Sequence, residues 1–280
     1  MLVIDAHQHL WDLENSSYSW LTPEFGVINR TFDFSELEPQ LQAYDVDRTV
    51  LVQAADSFED TEAMLNVARR WARVAGVVGW APLEDPADAA PAIERYSDQP
   101  IIVGVRHLMH DEPDPDWVVQ PGVLASLGLL AEAGLTFDVV TKLPHHLEHV
   151  STIARRHPNL RIVIDHLAKP PIANGELQPW RDLLATAALH PNVYAKLSGL
   201  NTAANWKSWS ATDLQPYVDV ALELFGPERL MFGGDWPVSI LAGDYGMVIE
   251  AMRTTVGGLS PAEQEQVWGR TAATFYQLQL

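Results

Sequence analysis

Short runs of β-branched and aromatic residues recur at eight places along the chain, each bounded by charged or turn-forming residues. They predict strands near Leu2–Ala6, Thr49–Gln53, Val74–Trp80, Ile101–His107, Leu135–Thr141, Arg161–Asp165, Asn192–Leu197 and Leu230–Gly234. Stretches with apolar residues at helical spacing lie between them, among them Thr61–Trp71, Ala87–Tyr96, Val123–Glu132, Leu147–Arg156, Pro179–Leu189 and Leu214–Phe225. A last helix, Pro261–Leu278, closes the chain, and Ser260-Pro261-Ala262-Glu263 supplies its start: a capping Ser, Pro at the first turn and Glu three residues after the cap.

Strand–helix alternation of this kind predicts a parallel sheet, and eight units in 280 residues fit a closed (β/α)8 TIM barrel, which takes roughly 250 residues. A doubly wound open sheet would carry a glycine-rich phosphate turn, and the sequence contains neither G-x-G-x-x-G nor a P-loop. No linker, low-complexity tract or repeat interrupts the chain, so a single domain over 1–280 is expected. The turns into strands are short (His157-Pro158-Asn159, His190-Pro191-Asn192, Gly226-Pro227-Glu228), whereas the connections out of strands are long. In a barrel the long loops share the C-terminal face, where active sites are built.

Composition narrows the function. With 37 acidic against 18 basic residues the net charge is −19, which disfavours nucleic acid and anionic membrane as partners and leaves a small molecule. There is no cysteine, so disulfides, thiolate metal sites and a Cys nucleophile are excluded. The chain opens with Asp5, His7 and His9 where a secretory leader would need an apolar core, and a cytoplasmic location is expected. The oligomeric state is left open, a homo-oligomer included.

The candidate chemistry sits at the strand ends. In Val3-Ile4-Asp5-Ala6-His7-Gln8-His9 the period of two places Asp5, His7 and His9 on one side of a strand. Further strand ends carry Gln53, Arg106-His107, Asp165-His166, Lys196, Ser198 and Gly233-Gly234-Asp235. Closing the barrel would gather these at one mouth. Neutral imidazoles with a carboxylate suit zinc or a similar divalent ion, and Asp235 could take a proton from an activated water. A buried Arg106 needs a carboxylate or a substrate group as partner, and Asp165 is read as a brace or an orienting group. Ten tryptophans is a high count; Trp11, Trp20 and Trp236, on the active-face loops, are candidate stacking surfaces for a sugar ring. His145, His146 and Lys169 are further candidate substrate contacts, although His145 and His146 equally suit a helix start. His149, His157 and His190 read as surface residues.

These motifs resemble a known family. Asp5-Ala6-His7-Gln8-His9 is similar to the opening of the amidohydrolase superfamily. Gly104-Val105-Arg106-His107-Leu108, Asp165-His166-Leu167-Ala168-Lys169-Pro170, Lys196-Leu197-Ser198-Gly199 and Phe232-Gly233-Gly234-Asp235-Trp236-Pro237 resemble the amidohydrolase-related branch that contains L-fucono- and L-rhamnonolactonases. The 2-pyrone-4,6-dicarboxylate lactonases are more distant. The resemblance implies a distorted (β/α)8 barrel that hydrolyses a cyclic ester. It implies metal or catalytic positions at His7, His9, His166 and Asp235, with Asp235 as general base and Arg106 and His107 holding substrate. Arg106-His107 stands where many superfamily members carry a bridging carboxylated lysine, which argues for one divalent ion, zinc foremost, rather than two; some relatives work with none, and Lys142 is a weak substitute. The stretch Trp80-Ala81-Pro82-Leu83 lacks the expected acidic residue, and His110 replaces a usual glutamine. Competing readings are a metal-dependent decarboxylase on the same barrel, a deaminase drawn from the H-x-x-E of His145 to Glu148, and a carbohydrate-binding barrel. Serine-nucleophile hydrolysis is disfavoured, since no G-x-S-x-G appears.

Overall fold

A computed structural model describes residues 1–142 and 144–280. Eight strands form one parallel sheet in sequence order: β1 (Ile4–Gln8), β2 (Arg48–Val52), β3 (Val74–Gly79), β4 (Ile102–His107), β5 (Thr136–Val139), β6 (Ile162–Ile164), β7 (Val193–Leu197) and β8 (Leu230–Phe232). The sheet closes through the chain just beyond β8: Asp235 N–H donates to the His7 carbonyl at 2.8 Å and His9 N–H to the Trp236 carbonyl at 2.7 Å. This is the expected (β/α)8 barrel. Its strands read as nearly continuous apolar runs because both faces are buried. Val50, Val52, Val78, Val163 and Met231 fill the interior with Ile4 and Ala6. Leu51, Val77, Val105, Phe137, Leu197 and Phe232 belong to the shell packed against the helices.

The outer layer comprises α1 (Phe34–Ala43), α2 (Phe58–Ala68), α3 (Pro86–Ser97), α4 (Pro121–Ala133), α5 (Pro144–Arg156), α6 (Trp180–Ala188), the short α7 (Leu200–Ala203), α8 (Ala211–Phe225) and α9 (Tyr245–Thr255). Local chemistry fixes their starts: Asp33, Ser57, Asp85 and Asp244 each accept a backbone N–H of the first turn. The predicted last helix begins with the expected Ser260–Glu263 capping box but is three pieces: α10 (Pro261–Glu265), a π-helical turn (Gln266–Arg270) and α11 (Thr271–Tyr276). Gly269 in the π turn lets this segment touch the chain start, since a Cβ there would lie 2.4 Å from the Leu2 carbonyl oxygen. Phe275 and Tyr276 of α11 then join the interior cluster.

Two expectations about strands change. The fifth, sixth and eighth strands stop short of Thr141, Asp165 and Gly234, because the chain turns out of the sheet there. In β1 the pairing register shifts between Asp5 and Gln8, so Asp5 does not share a side with the two histidines. Its carboxylate instead accepts from Gly234 N–H at 2.8 Å, the Tyr245 hydroxyl at 2.8 Å and the Gln8 amide, tying β1 to the loop after β8. Among the described residues no helix is long and apolar enough to cross a membrane.

Candidate active site

Three imidazoles and one carboxylate meet where β1, β6 and β8 end. The Nε2 atoms of His9, His7 and His166 lie 3.4, 3.8 and 3.9 Å from Asp235 Oδ1. His7 Nε2 and His9 Nε2 are 3.0 Å apart. Each ring is held from behind by its other nitrogen. His9 Nδ1 donates to the Val52 carbonyl at 2.8 Å, and His166 Nδ1 pairs with the Ser198 hydroxyl at 2.8 Å. His7 Nδ1 faces Asp165 Oδ1 at 3.3 Å and Lys196 Nζ at 3.0 Å. Second groups of this kind fix the orientation of an imidazole, and on His9 the Nδ1–H donated to Val52 leaves the Nε2 lone pair free, whereas the Lys196 ammonium donates to His7 Nδ1 and places the His7 proton on Nε2.

The backbone that delivers these groups is unusual. His166, Leu167, Ala168 and Lys169 all have φ between 50° and 61°, and Asp235 has φ 52°. Successive non-glycine residues in the left-handed region are sterically costly and persist only where the surroundings enforce them. Gly199, at φ 60°, leaves the space they use: a Cβ there would stand 2.7 Å from His166 Nδ1 and 2.8 Å from Asp235 Oδ2.

A layer of buried charge supports the imidazoles. Lys196 Nζ contacts Asp138 Oδ2 at 2.6 Å and Asp165 Oδ1 at 3.0 Å, and the Tyr276 hydroxyl donates to Asp138 at 2.7 Å. Arg106 has the carboxylate partner its burial requires, donating to Asp165 Oδ2 at 3.0 Å and also to the Gln53 carbonyl. Asp165 is thus the expected brace, shared by Arg106, Lys196 and His7.

Protonation follows from burial and neighbours. Burial depresses His166 to about 4, although Asp235 and Asp165 pull the other way. Burial and the Lys196 ammonium hold His7 well below the ordinary histidine value. Both rings are therefore neutral at pH 7, the lone pair of His7 turned to the Lys196 ammonium. Burial alone would raise the Asp235 carboxyl, but His166, His9 and His7 outweigh it and keep the group ionised. Asp165 is also held low: Lys196, His7 and Arg106 overcome its burial.

Among the described residues Asp235 Oδ1 has no hydrogen-bond partner, although it is buried. An orphaned carboxylate oxygen amid neutral imidazoles fits a divalent cation. His7, His166 and Asp235 offer ligand atoms all within 4.8 Å of one another, with His9 adjacent.

His9, His166 and Asp235 open onto a cavity of about 420 Å³. Arg106, Lys169 and Trp20 also line it, together with His110, Asp111 and Lys142. Apolar positions such as Phe25, Ala54 and Val140 complete the wall, and their residue types gave no advance signal.

Several expected substrate contacts lie elsewhere. Trp11 is buried, its indole N–H bound to the Arg30 carbonyl and its ring edge-on to Trp20 and Phe32. Trp236 is buried against Phe32. Both pack the loops onto the rim, and neither lines the cavity. His107 turns away from it: the ring stacks on Trp117 at 3.9 Å, accepts from Trp80 Nε1 and pairs with Glu112 at 2.8 Å. His146 is buried against the chain, its Nδ1 accepting from Lys142 N–H. His145 points to solvent on the first turn of α5, bound to Asp116 and Glu148. The Asp138–Lys196 pair was missed, although a lone charge inside each of two apolar strands was a usable signal.

The amidohydrolase family model matches residues 4–278. An L-fucono-1,5-lactonase of Burkholderia ambifaria is 39% identical over 279 residues, covering 98% of this chain and 95% of that protein. A second L-fucono-1,5-lactonase, from Burkholderia multivorans, is 35% identical over 288 residues, covering 99% and 96%. The crystal structure of a B. multivorans amidohydrolase with bound zinc superposes with a TM-score of 0.92 at 34% identity, over 100% of both chains. A match over nearly the whole length, on a barrel whose strand ends gather these histidines and this aspartate, leaves one conclusion: the chain belongs to the amidohydrolase family.

Proposed function

We propose that the protein hydrolyses the lactone of a sugar acid, with six-membered 1,5-aldonolactones of the L-fucono type as the first candidates. The observation that carries the reading is the ionised Asp235 carboxylate, unpartnered at Oδ1 and facing three imidazoles on the cavity wall. The relatives' names point the same way. The donor set, and the zinc bound by the B. multivorans relative, support one divalent ion held by His7, His166 and Asp235, with His9 in reach. The Arg106 guanidinium, 3.4 Å from His7 Nε2, leaves no anionic bridge there for a second ion. When bound, the ion would polarise the lactone carbonyl and acidify a water.

The chain's own residues then do the following. Asp235 accepts the proton of the attacking water as its oxygen bonds to the carbonyl carbon. The positive wall of Arg106, Lys142 and Lys169 favours the negative charge that develops on the carbonyl oxygen. The ring C–O bond breaks, and protonated Asp235 returns the proton to the leaving alkoxide. Trp20, fixed by its N–H bond to the Ala54 carbonyl at 2.7 Å, offers the flat surface on which a sugar ring stacks. The product is a hydroxy acid that ionises at neutral pH and releases one proton per turnover. A small, neutral substrate is compatible with the acidic chain, and a cytoplasmic location goes with this reading.

Arg106 also bears on the decarboxylase alternative. Its Nη1 and Nη2 atoms already donate to Asp165 and the Gln53 carbonyl, so a two-pronged grip on a substrate carboxylate would have to displace these partners. A pH-indicator assay over a panel of 1,4- and 1,5-aldonolactones tests the proposal, with carbon dioxide release from aromatic acids as the comparison. Proton release on 1,5-lactones is expected. Failure on every lactone, or carbon dioxide release instead, would overturn it.

A further inference from the structure

The sequence motif left unused by this reading is the H-x-x-E of His145 to Glu148, and the structure gives it a different context. His145 and His149 lie one turn apart on the same face of α5. Both point their Nε2 atoms at a single oxygen, Asp116 Oδ1, at 2.7 and 2.8 Å. Asp116 belongs to another element, the connection between β4 and α4, where it precedes a short 3-10 turn at Trp117–Val119. Behind His145, Glu148 Oε2 takes the remaining ring nitrogen at 3.0 Å.

Each part of this arrangement is one that metal sites use. Two histidines four residues apart on a helix present their nitrogens to one point, and a carboxylate from a second segment supplies the third ligand. A carboxylate on the far nitrogen of a ligating imidazole fixes its tautomer and raises its basicity, which is the part Glu148 plays here. All three ligand atoms lie within 4.8 Å of one another. His145 and Asp116 are open to solvent, with side chains 46% and 57% exposed, so an ion can enter and keep water in its remaining positions. None of these residues lines the catalytic cavity.

We propose that Asp116, His145 and His149, backed by Glu148, form a second, peripheral site for a borderline transition-metal ion such as Zn2+. The ion clamps the connection after β4 onto α5. That connection carries Leu108, His110 and Asp111 into the cavity wall and Glu112 against His107, so the clamp steadies one side of the substrate mouth. The inference stands apart from the lactonase reading: the site can hold zinc whether or not the barrel opens lactones.

The test is a Zn2+ titration by calorimetry, with bound metal counted after dialysis, on the full chain and on the H145A/H149A variant. Circular dichroism checks that the variant keeps the helix content of the wild type. The wild-type protein is expected to bind one more equivalent per chain than the variant, whatever the buried centre holds. E148Q, which keeps all three ligands, should weaken the additional site roughly 10- to 100-fold. Amide hydrogen exchange across residues 108–120 should slow on zinc addition in the wild-type protein and be unchanged in the double variant. Equal zinc uptake by wild type and H145A/H149A would overturn the site. An extra equivalent that leaves exchange in 108–120 unaltered would overturn the clamp.

Discussion

Lys196→Met tests the buried charge layer beneath the imidazoles. Lys196, Asp138 and Asp165 are fully buried, and the Lys196 ammonium lies 2.6 Å from Asp138 and 3.0 Å from Asp165. With Arg106 on Asp165, two cations balance two carboxylates. Methionine fills a similar volume but removes one cation, leaving Asp138 with only the Tyr276 hydroxyl. Breaking a buried pair from one side costs about 3–5 kcal/mol. A second route gives the same size. Burial already pushes the Asp138 carboxyl up against the pull of Lys196, so without the ammonium it takes up a proton. Holding a carboxyl protonated at pH 7, against an unfolded value near 3.9, costs about 4 kcal/mol.

The sign of the pH dependence follows. A folded pKa raised above the unfolded one stabilises fully below about pH 4 and loses that contribution as pH rises. The deficit of K196M should therefore be smaller at pH 5 than at pH 7. Urea unfolding of both proteins at the two pH values measures this. The K196M/D138L double variant removes both partners and should recover more than half of the loss, less about 1 kcal/mol for the stranded Tyr276 hydroxyl. A K196M cost under about 1 kcal/mol at pH 7 would show that the buried pair does not hold Asp138 ionised. A deficit that does not change with pH, or a double variant no better than the single, would show the same.

Other outcomes follow from the same geometry. Gly199→Ala places a Cβ 2.7 Å from His166 Nδ1 and 2.8 Å from Asp235 Oδ2 at φ 60°; thermal melts should show a loss of about 1–3 kcal/mol, with activity falling further than stability. His166 has a folded pKa of about 4 against an ordinary 6.5, so its neutral form favours the fold, and metal-free protein should lose about 3 kcal/mol as pH drops from 6.5 to 4. H166Q should flatten that part of the stability profile. Lys169→Met removes a cation from the cavity wall; inhibition by the carboxylate product should weaken severalfold while KM for the neutral lactone moves less, and added salt should narrow the gap.

Much of the barrel was legible because its strands are buried on both faces and separated by Gly, Pro and charge. His7, His9, His166 and Asp235 were legible as polar endings to apolar runs. Asp5 was misplaced because a period of two assumes an unbroken register, and β1 shifts between Asp5 and Gln8. The left-handed run from His166 to Lys169 has no glycine to announce it and is enforced by tertiary contacts. Tryptophans on active-face loops carry no label for inward or outward: Trp20 reaches the cavity, while Trp11 and Trp236 wedge the rim. His145 was drawn toward the site by its position after a strand, yet the first turn of α5 points it at Asp116 instead.

In the proposed mechanism Asp235 carries the proton for water attack on a lactone. Asp235→Asn keeps the shape of the side chain and removes its basicity. Turnover of the best aldonolactone by wild type and D235N, each as purified, chelated and zinc-supplemented, tests it most directly, with circular dichroism confirming the fold. D235N is expected to stay folded and to lose at least about 100-fold in kcat under every metal condition. A folded D235N that hydrolyses the lactone at the wild-type rate would contradict it.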